Sequence, residues 1–146
     1  MEIRKMKITD YAHVYSLWHK TPGMGLNDID DSREGVNRYL ERNSRTCFVA
    51  EIGGELVGVI MAGHDGRRGF IYHTCVIPEL WNNQIGTCLV EAALEALRAE
   101  GICKVALVVF EQNERGNGFW ERMGFTERPD LVYRNRELTK LERVNT

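Results

Sequence analysis

The sequence contains no apolar run that approaches the roughly 20 residues a bilayer span requires. Its N-terminus, MEIRKMKITDY, also lacks the apolar core of a signal peptide. Neither sign of charge dominates, with a net charge of −2 and 27% charged residues. Nucleic acid and membrane surfaces are therefore not the expected partners. The four cysteines, Cys47, Cys75, Cys88 and Cys103, form no CxxC pair and no cluster with histidine. No metal is expected, and the thiols read as buried small hydrophobes. There is no internal repeat, low-complexity tract or linker. What remains is a globular chain of 146 residues, 43% hydrophobic, expected to be cytoplasmic and to form one domain over 1–146 with a core of its own.

The most informative stretch is Pro78–Glu100, PELWNNQIGTCLVEAALEALRAE. A polar loop runs into an amphipathic helix, and the apolar run Phe70–Ile77 precedes both. Ile85, Cys88, Leu89, Ala92, Ala93, Ala96 and Leu97 recur at helical spacing, and Gly101 is a suitable C-cap. A helix N-terminus has backbone N–H groups without intrahelical partners and carries the positive end of the dipole. A strand, a polar loop and a helix start in that order form a recipe for binding phosphate.

The remaining elements follow in order. Glu2–Met6 reads as a short strand. Thr9 and Asp10 are candidate caps for a helix over Tyr11–Lys20, with Val14, Leu17 and Trp18 on one face. Thr21–Asp31 is rich in Gly, Pro, Asn and Asp and reads as a loop. Ser32 or Asp31 caps a second helix with the stripe Val36, Tyr39 and Leu40. Thr46–Ile52 and Glu55–Gly63 read as strands joined by Gly53-Gly54, where both residues can take positive φ in a tight hairpin. After the turn His64–Gly69, Phe70–Ile77 completes an antiparallel meander. Lys104–Phe110 is almost wholly apolar and reads as a strand covered on both faces. It should lie parallel to Phe70–Ile77 through a right-handed crossover. A short helix over Arg115–Met123 ends at Gly124, and Leu131–Glu137 reads as a final strand. The tail from Leu138 is charged and expected to be loose. The order β-α-α-β-β-β-α-β-α-β implies an α/β (α+β) fold, one mixed sheet with helices on its faces. A nucleotide-binding α/β domain is disfavoured, because it needs a mostly parallel sheet.

Three segments bear a family resemblance: Glu51–Gly58, Val76-Ile77-Pro78-Glu79, and Asn113 followed by Phe119-Trp120-Glu121-Arg122-Met123-Gly124-Phe125. In this order and spacing they resemble the GNAT N-acetyltransferase family over nearly the whole chain. Gly63-His64-Asp65-Gly66-Arg67-Arg68-Gly69 resembles a bacterial subgroup with a GxDGxRG turn before the fourth strand. The resemblance implies a sheet splayed between its fourth and fifth strands, with acetyl-CoA as acyl donor. The pantetheine arm would bond backbone groups of Thr74, Cys75 and Val76. The pyrophosphate would sit on Trp81, Asn82, Asn83, Gln84, Ile85, Gly86 and Thr87, with Asn113 near the thiol end. A primary amine, on a small molecule or a peptide, would attack the thioester directly. A homodimer is left open, since dimers are common in the family.

The sequence departs from the family pattern in two places. Trp81 stands where the family has a long polar side chain, and Gln84 where it has a glycine, while the loop carries no cation. Asn82 and Asn83 are the residues expected to absorb a left-handed turn, and acetyl-CoA affinity is expected to be weakened. Trp120 occupies the position of the family's tyrosine general acid, although an indole does not ionise usefully. Tyr72 is the polar candidate on the acceptor face, and His73 should point away from it if the strand alternates regularly. Asp28, Asp30 and Asp31 would either attract a cationic amine or serve as turn formers. The alternative to an N-acetyltransferase is a GNAT-fold module that binds a CoA ester as a sensor and catalyses little.

Overall fold

The computed structural model describes residues 1–144. Its elements are β1 (Glu2–Lys5), α1 (Tyr11–Lys20), α2 (Arg33–Arg42), β2 (Phe48–Ile52), β3 (Glu55–His64), β4 (Gly69–Val76), α3 (Ile85–Ala99), β5 (Val105–Ala106) and α4 (Glu114–Arg122). The sheet has five strands in the order β1-β2-β3-β4-β5. Its first four strands are antiparallel, and β4 and β5 are parallel. Gly53 and Gly54 both adopt positive φ, 58° and 82°. They make the two-residue turn that only glycine-like backbones close without strain.

Side chains alternate across the sheet, so a core builds on each face. Val59 and Met61 of β3 point toward α1 and α2, where they meet Trp18, Val36 and Leu40. Ile60 and Ala62 point the other way, onto Leu89, Val90, Ala93 and Leu97 of α3. Ser32 caps α2 by accepting the Gly35 N–H at 3.0 Å. Asp10 does not cap α1 with its side chain. Its carboxylate accepts the Lys7 N–H at 2.8 Å and the Arg4 guanidinium at 2.7 and 2.9 Å, because a cation is the stronger partner.

The C-terminal half differs most from expectation. The strand expected over Lys104–Phe110 pairs only at Val105 and Ala106. It is not covered on both faces, since Val108 and Phe110 are 60% and 49% exposed. The strand expected over Leu131–Glu137 does not form. Leu131, Val132 and Tyr133 are exposed, and no ladder reaches them. A strand is a pairing rather than a property of a segment, and the edge beyond β5 offers this one no partner. The tail is better held than its charge suggests. Asp28 N–H donates to the Glu142 carbonyl at 3.0 Å, Glu142 N–H donates to Asp28 Oδ1 at 2.7 Å, and Asn27 bridges Arg143. Cys47 and Cys75 are buried as expected, whereas Cys88 is half-buried and Cys103 exposed. Among the described residues no helix is long and apolar enough to cross a membrane.

Candidate functional site

The site begins where β4 loses its neighbour. The β4–β5 ladder holds Gly69 to Val105 and Phe70 to Ala106, and it goes no further. From Ile71 to Val76 the β5-side edge of β4 is open. On the other edge, Ile77 N–H donates to Val57 O at 2.9 Å. The alternation of antiparallel pairing then turns the backbone of Cys75 toward β3 and that of Val76 toward the open side. The Cys75 side chain is buried, and burial pushes its thiol up to about 12.

β4 does not alternate regularly. Val59 pairs with Cys75 but Met61 pairs with Tyr72, so β4 carries one extra residue, and His73 sits in this bulge at φ 27°. A bulge re-aims side chains, and a non-glycine residue at positive φ is strained backbone of the kind that clusters at functional sites. His73 therefore does not point away from Tyr72. It faces the same side of the sheet, with its ring 4.9 Å from Trp18 and 6.4 Å from Tyr72 between centroids. Its Nε2 lies 2.7 Å from Asp31 Oδ1. Asp31 is 5% exposed and also accepts the Asn27 N–H on Oδ2 at 2.8 Å, while its carbonyl accepts the Tyr11 hydroxyl at 2.6 Å. The acidic loop thus resolves into parts with separate tasks. Asp28 holds the tail, Asp31 holds His73, and Asp30 is exposed beside them, accepting from Asn27 Nδ2 at 3.0 Å.

Tyr72 is 46% exposed, with Phe70 and Tyr39 around its ring at 4.7 and 5.8 Å. Burial raises the pKa of its phenol, reinforced by nearby Tyr133 and Asp30, so it stays protonated near neutrality. Val108 and Phe110 are exposed, and a Cβ on the loop glycine Gly25 would touch the Phe110 ring at 3.6 Å. A shallow hollow of about 250 Å³ lies between Phe110, Leu26 and the tail residues Glu137 and Arg143.

The loop after β4 keeps a glycine-like path without the glycine. Asn82 and Gln84 take φ of 68° and 67°, so the second left-handed residue is Gln84 rather than Asn83. Asn83 instead clamps the turn, its Nδ2 donating to the Leu80 and Trp81 carbonyls at 3.1 Å each. Gln84 is the N-cap of α3 and makes no side-chain cap bond, which leaves the first-turn amides as donors. Gly86 faces Phe119 of α4, where a Cβ would meet the ring at 3.3 Å. Trp81 Nε1 donates to the Val76 carbonyl at 2.8 Å. The loop itself has no cation, but Arg115 of α4 brings its guanidinium carbon to 3.8 Å from the Trp81 ring centroid.

Asn113 caps α4, accepting the Gly116 N–H at 2.9 Å. Trp120 packs edge-on between Phe119 and Phe125 at 5.0 and 5.3 Å. The turn at Gly63–Gly69 is bonded to itself at the far end of β4. Asp65 Oδ1 accepts the N–H groups of Arg67 and Arg68 at 2.8 Å each, and His64 Nε2 meets Glu100 at 2.8 Å. The sequence drew attention to the loop, β4 and Tyr72. It did not reveal His73 with Asp31, because regular alternation hides a bulge. Arg115 was equally hidden, since its contact with Trp81 is remote in sequence.

A protein-family model described as the Acetyltransferase (GNAT) family matches residues 11–125. Among solved structures, Ard1 from Thermoplasma volcanium superposes with a TM-score of 0.76 at 19% identity, over 86% of this chain and 82% of that one. The paia N-acetyltransferase of Thermoplasma acidophilum, in complex with coenzyme A, gives a TM-score of 0.73 at 19% identity over 84% and 87%. A predicted acetyltransferase from Clostridium acetobutylicum, with acetyl-CoA, gives 0.70 at 17% over 92% and 95%. At these identities the similarity establishes a shared fold.

Proposed function

Because this chain belongs to the GNAT acetyltransferase family, we propose that it transfers the acetyl group of acetyl-CoA to a primary amine by direct attack. One observation carries the reading. The β4–β5 ladder ends at Phe70, and the open edge that follows holds both the His73 bulge and the run toward the left-handed loop. The structures of paia and of the Clostridium protein, similar in fold, hold coenzyme A and acetyl-CoA, which supports the same donor here.

The residues present fit that donor. The open edge offers backbone groups of Thr74 and the Val76 N–H to the pantetheine arm, whereas the Cys75 backbone faces β3 and the Val76 carbonyl is held by Trp81 Nε1. Residues Trp81 to Thr87 offer first-turn amides and a dipole to the pyrophosphate. Asn113, whose side-chain oxygen caps α4, keeps its amide nitrogen as a donor for the thiol end of the cofactor. Acetyl-CoA supplies an activated thioester carbonyl. The amine nitrogen attacks that carbonyl while His73, fixed through Nε2 by Asp31, accepts the amine proton at Nδ1; the C–S bond then breaks and coenzyme A leaves as the thiolate, which takes its proton from solvent. Tyr72, kept protonated, donates a hydrogen bond rather than taking a proton. Trp120 serves as an aromatic wall rather than an acid. The aromatic surface of Phe70 and Tyr72, with Asp30 near it, suits an ammonium carried on a small molecule or a peptide.

Thiol release from acetyl-CoA, followed with a polyamine, an aminoglycoside and an unblocked peptide, tests the proposal. The wild type should turn over at least one of them. His73→Gln and Asp31→Asn should each lower kcat, His73→Gln by roughly 10²- to 10⁴-fold, the usual contribution of a general base. The KM for acetyl-CoA should stay nearly constant, and the pH–rate profile should flatten. Release with no amine, from protein of native circular dichroism, would refute it.

A further inference from the structure

An anion held only by backbone amides and a helix dipole sits in a modest field that salt screens readily. The loop Trp81–Thr87 has no cationic side chain of its own, yet the fold delivers one. Arg115 and Phe119 are four residues apart on α4 and so share a face. Phe119 lies on Gly86 in the first turn of α3, and Arg115 lies over the Trp81 ring with 3.8 Å between guanidinium carbon and centroid. One face of α4 therefore meets both the loop, through Arg115 on Trp81, and the helix start, through Phe119 on Gly86.

The platform is fixed at both ends. Indole Nε1 is bonded to the Val76 carbonyl, and α4 is anchored by the Asn113 cap. A guanidinium stacked on an aromatic face keeps its in-plane N–H donors, which match the two oxygens of a phosphate. The alternative is a solvent-side cation–π pair with no ligand, but that would leave unexplained why the indole is tied to the very carbonyl that faces the open edge of β4.

We infer that Trp81 and Arg115 act as one unit that binds the pyrophosphate of coenzyme A, with Arg115 supplying the charge and Trp81 holding it in position. This rests on the donor reading above and deepens it. The tryptophan takes the place of a charged loop residue by borrowing a charge from α4, and the weakened affinity expected from the loop alone is thereby offset.

Isothermal titration with coenzyme A and with dephospho-coenzyme A separates the possibilities, because the second probe keeps the pyrophosphate and lacks the ribose phosphate. Arg115→Gln should weaken both about tenfold or more, as expected for losing a charge-assisted contact, and should make binding less dependent on salt. Arg115→Lys should fall between. Trp81→Ala should lose a similar factor, and adding it to Arg115→Gln should cost little more, since the two residues form one unit. Trp81→Phe, which keeps an aromatic face, should retain most of the affinity. Unchanged affinity in Arg115→Gln would overturn the inference, as would fully additive losses or a loss confined to coenzyme A. Wild-type protein that binds neither probe would instead refute the donor reading itself. Arg115 is exposed, so its variants should melt with the wild type.

Discussion

Gln84→Gly tests whether the loop before α3 stores strain. Gln84 adopts φ 67° and ψ 7°, a left-handed conformation that costs an ordinary L-residue roughly 1–2 kcal/mol. Its side chain makes no cap bond and is exposed, so little else is lost on truncation. Against this gain stands the greater freedom of glycine in the unfolded chain, roughly 0.5–1 kcal/mol. The balance is a stabilisation of about 0.5–1 kcal/mol. In a domain of this size that raises Tm by about 1.5–3.5 °C. Two neighbours serve as controls. Asn82 has φ 68°, but asparagine tolerates that region, so Asn82→Gly should be close to neutral. Asn83 does not have positive φ and its amide bonds the Leu80 and Trp81 carbonyls. Asn83→Gly should therefore lose about 1–2 kcal/mol. Urea titration with a constant m-value gives all three numbers. If Gln84→Gly proves as destabilising as Asn83→Gly, the left-handed reading of the loop is wrong.

Three further outcomes follow from the geometry. A Cβ on Gly35 would overlap the backbone oxygens of Ile29 and Asp30. Gly35→Ala should accordingly cost about 1–3 kcal/mol and reduce turnover more than Gln84→Gly does, because the displaced loop carries Asp31; thermal unfolding alongside thiol release checks this. Burial alone would raise the Asp10 pKa, but the hydrogen bonds from Arg4 and the Lys7 N–H outweigh it, so the folded value is lowered. The stabilisation from Asp10 is then fully present above its unfolded value, about 3.9, and is lost as pH falls through the folded value. The stability gap between wild type and Asp10→Asn, about 1–2 kcal/mol near neutrality, should hold down to about pH 5 and close in stronger acid, as urea titrations across that range would show. Burial pushes the Cys47 and Cys75 thiols up to about 12, while Cys103 is exposed. Iodoacetamide at pH 8 should label Cys103 first and the buried pair on the order of a thousandfold more slowly, read by peptide mass mapping.

The parts of the fold legible in the sequence were those fixed by local chemistry. Gly53-Gly54 announced its hairpin because two positive-φ residues have few other uses. The apolar spacing from Ile85 to Leu97 and Gly101 after it bounded α3 closely. The β4–α3–β5 crossover followed from chirality, and the ladder is parallel as expected. The parts that were not legible depend on partners elsewhere in the chain. Leu131–Glu137 has the composition of a strand, but only an available edge makes it one. The apolar run Lys104–Phe110 suggested burial on both faces, whereas Val108 and Phe110 remain exposed.

The candidate site divides the same way. The loop and Tyr72 could be found because polar residues beside a helix start, or a tyrosine on an apolar strand, stand out in one dimension. His73 was misplaced because a single extra residue in β4 reverses which face it serves. Its link to Asp31 joins β4 to the loop before α2, and no local pattern encodes it. Arg115 reads in the sequence as one more charge on a surface helix. Only the face it shares with Phe119 brings it to Trp81.

The most direct measurement of the central claim is the fate of the acetyl group. Purified protein is incubated with acetyl-CoA labelled in the acetyl carbons and with the three amines, and every product, the protein included, is read by mass spectrometry. The account predicts label on an amine nitrogen, sharply reduced in His73→Gln, and none retained on the chain. Coenzyme A binding without label on any amine, or label held covalently on the protein, would contradict it.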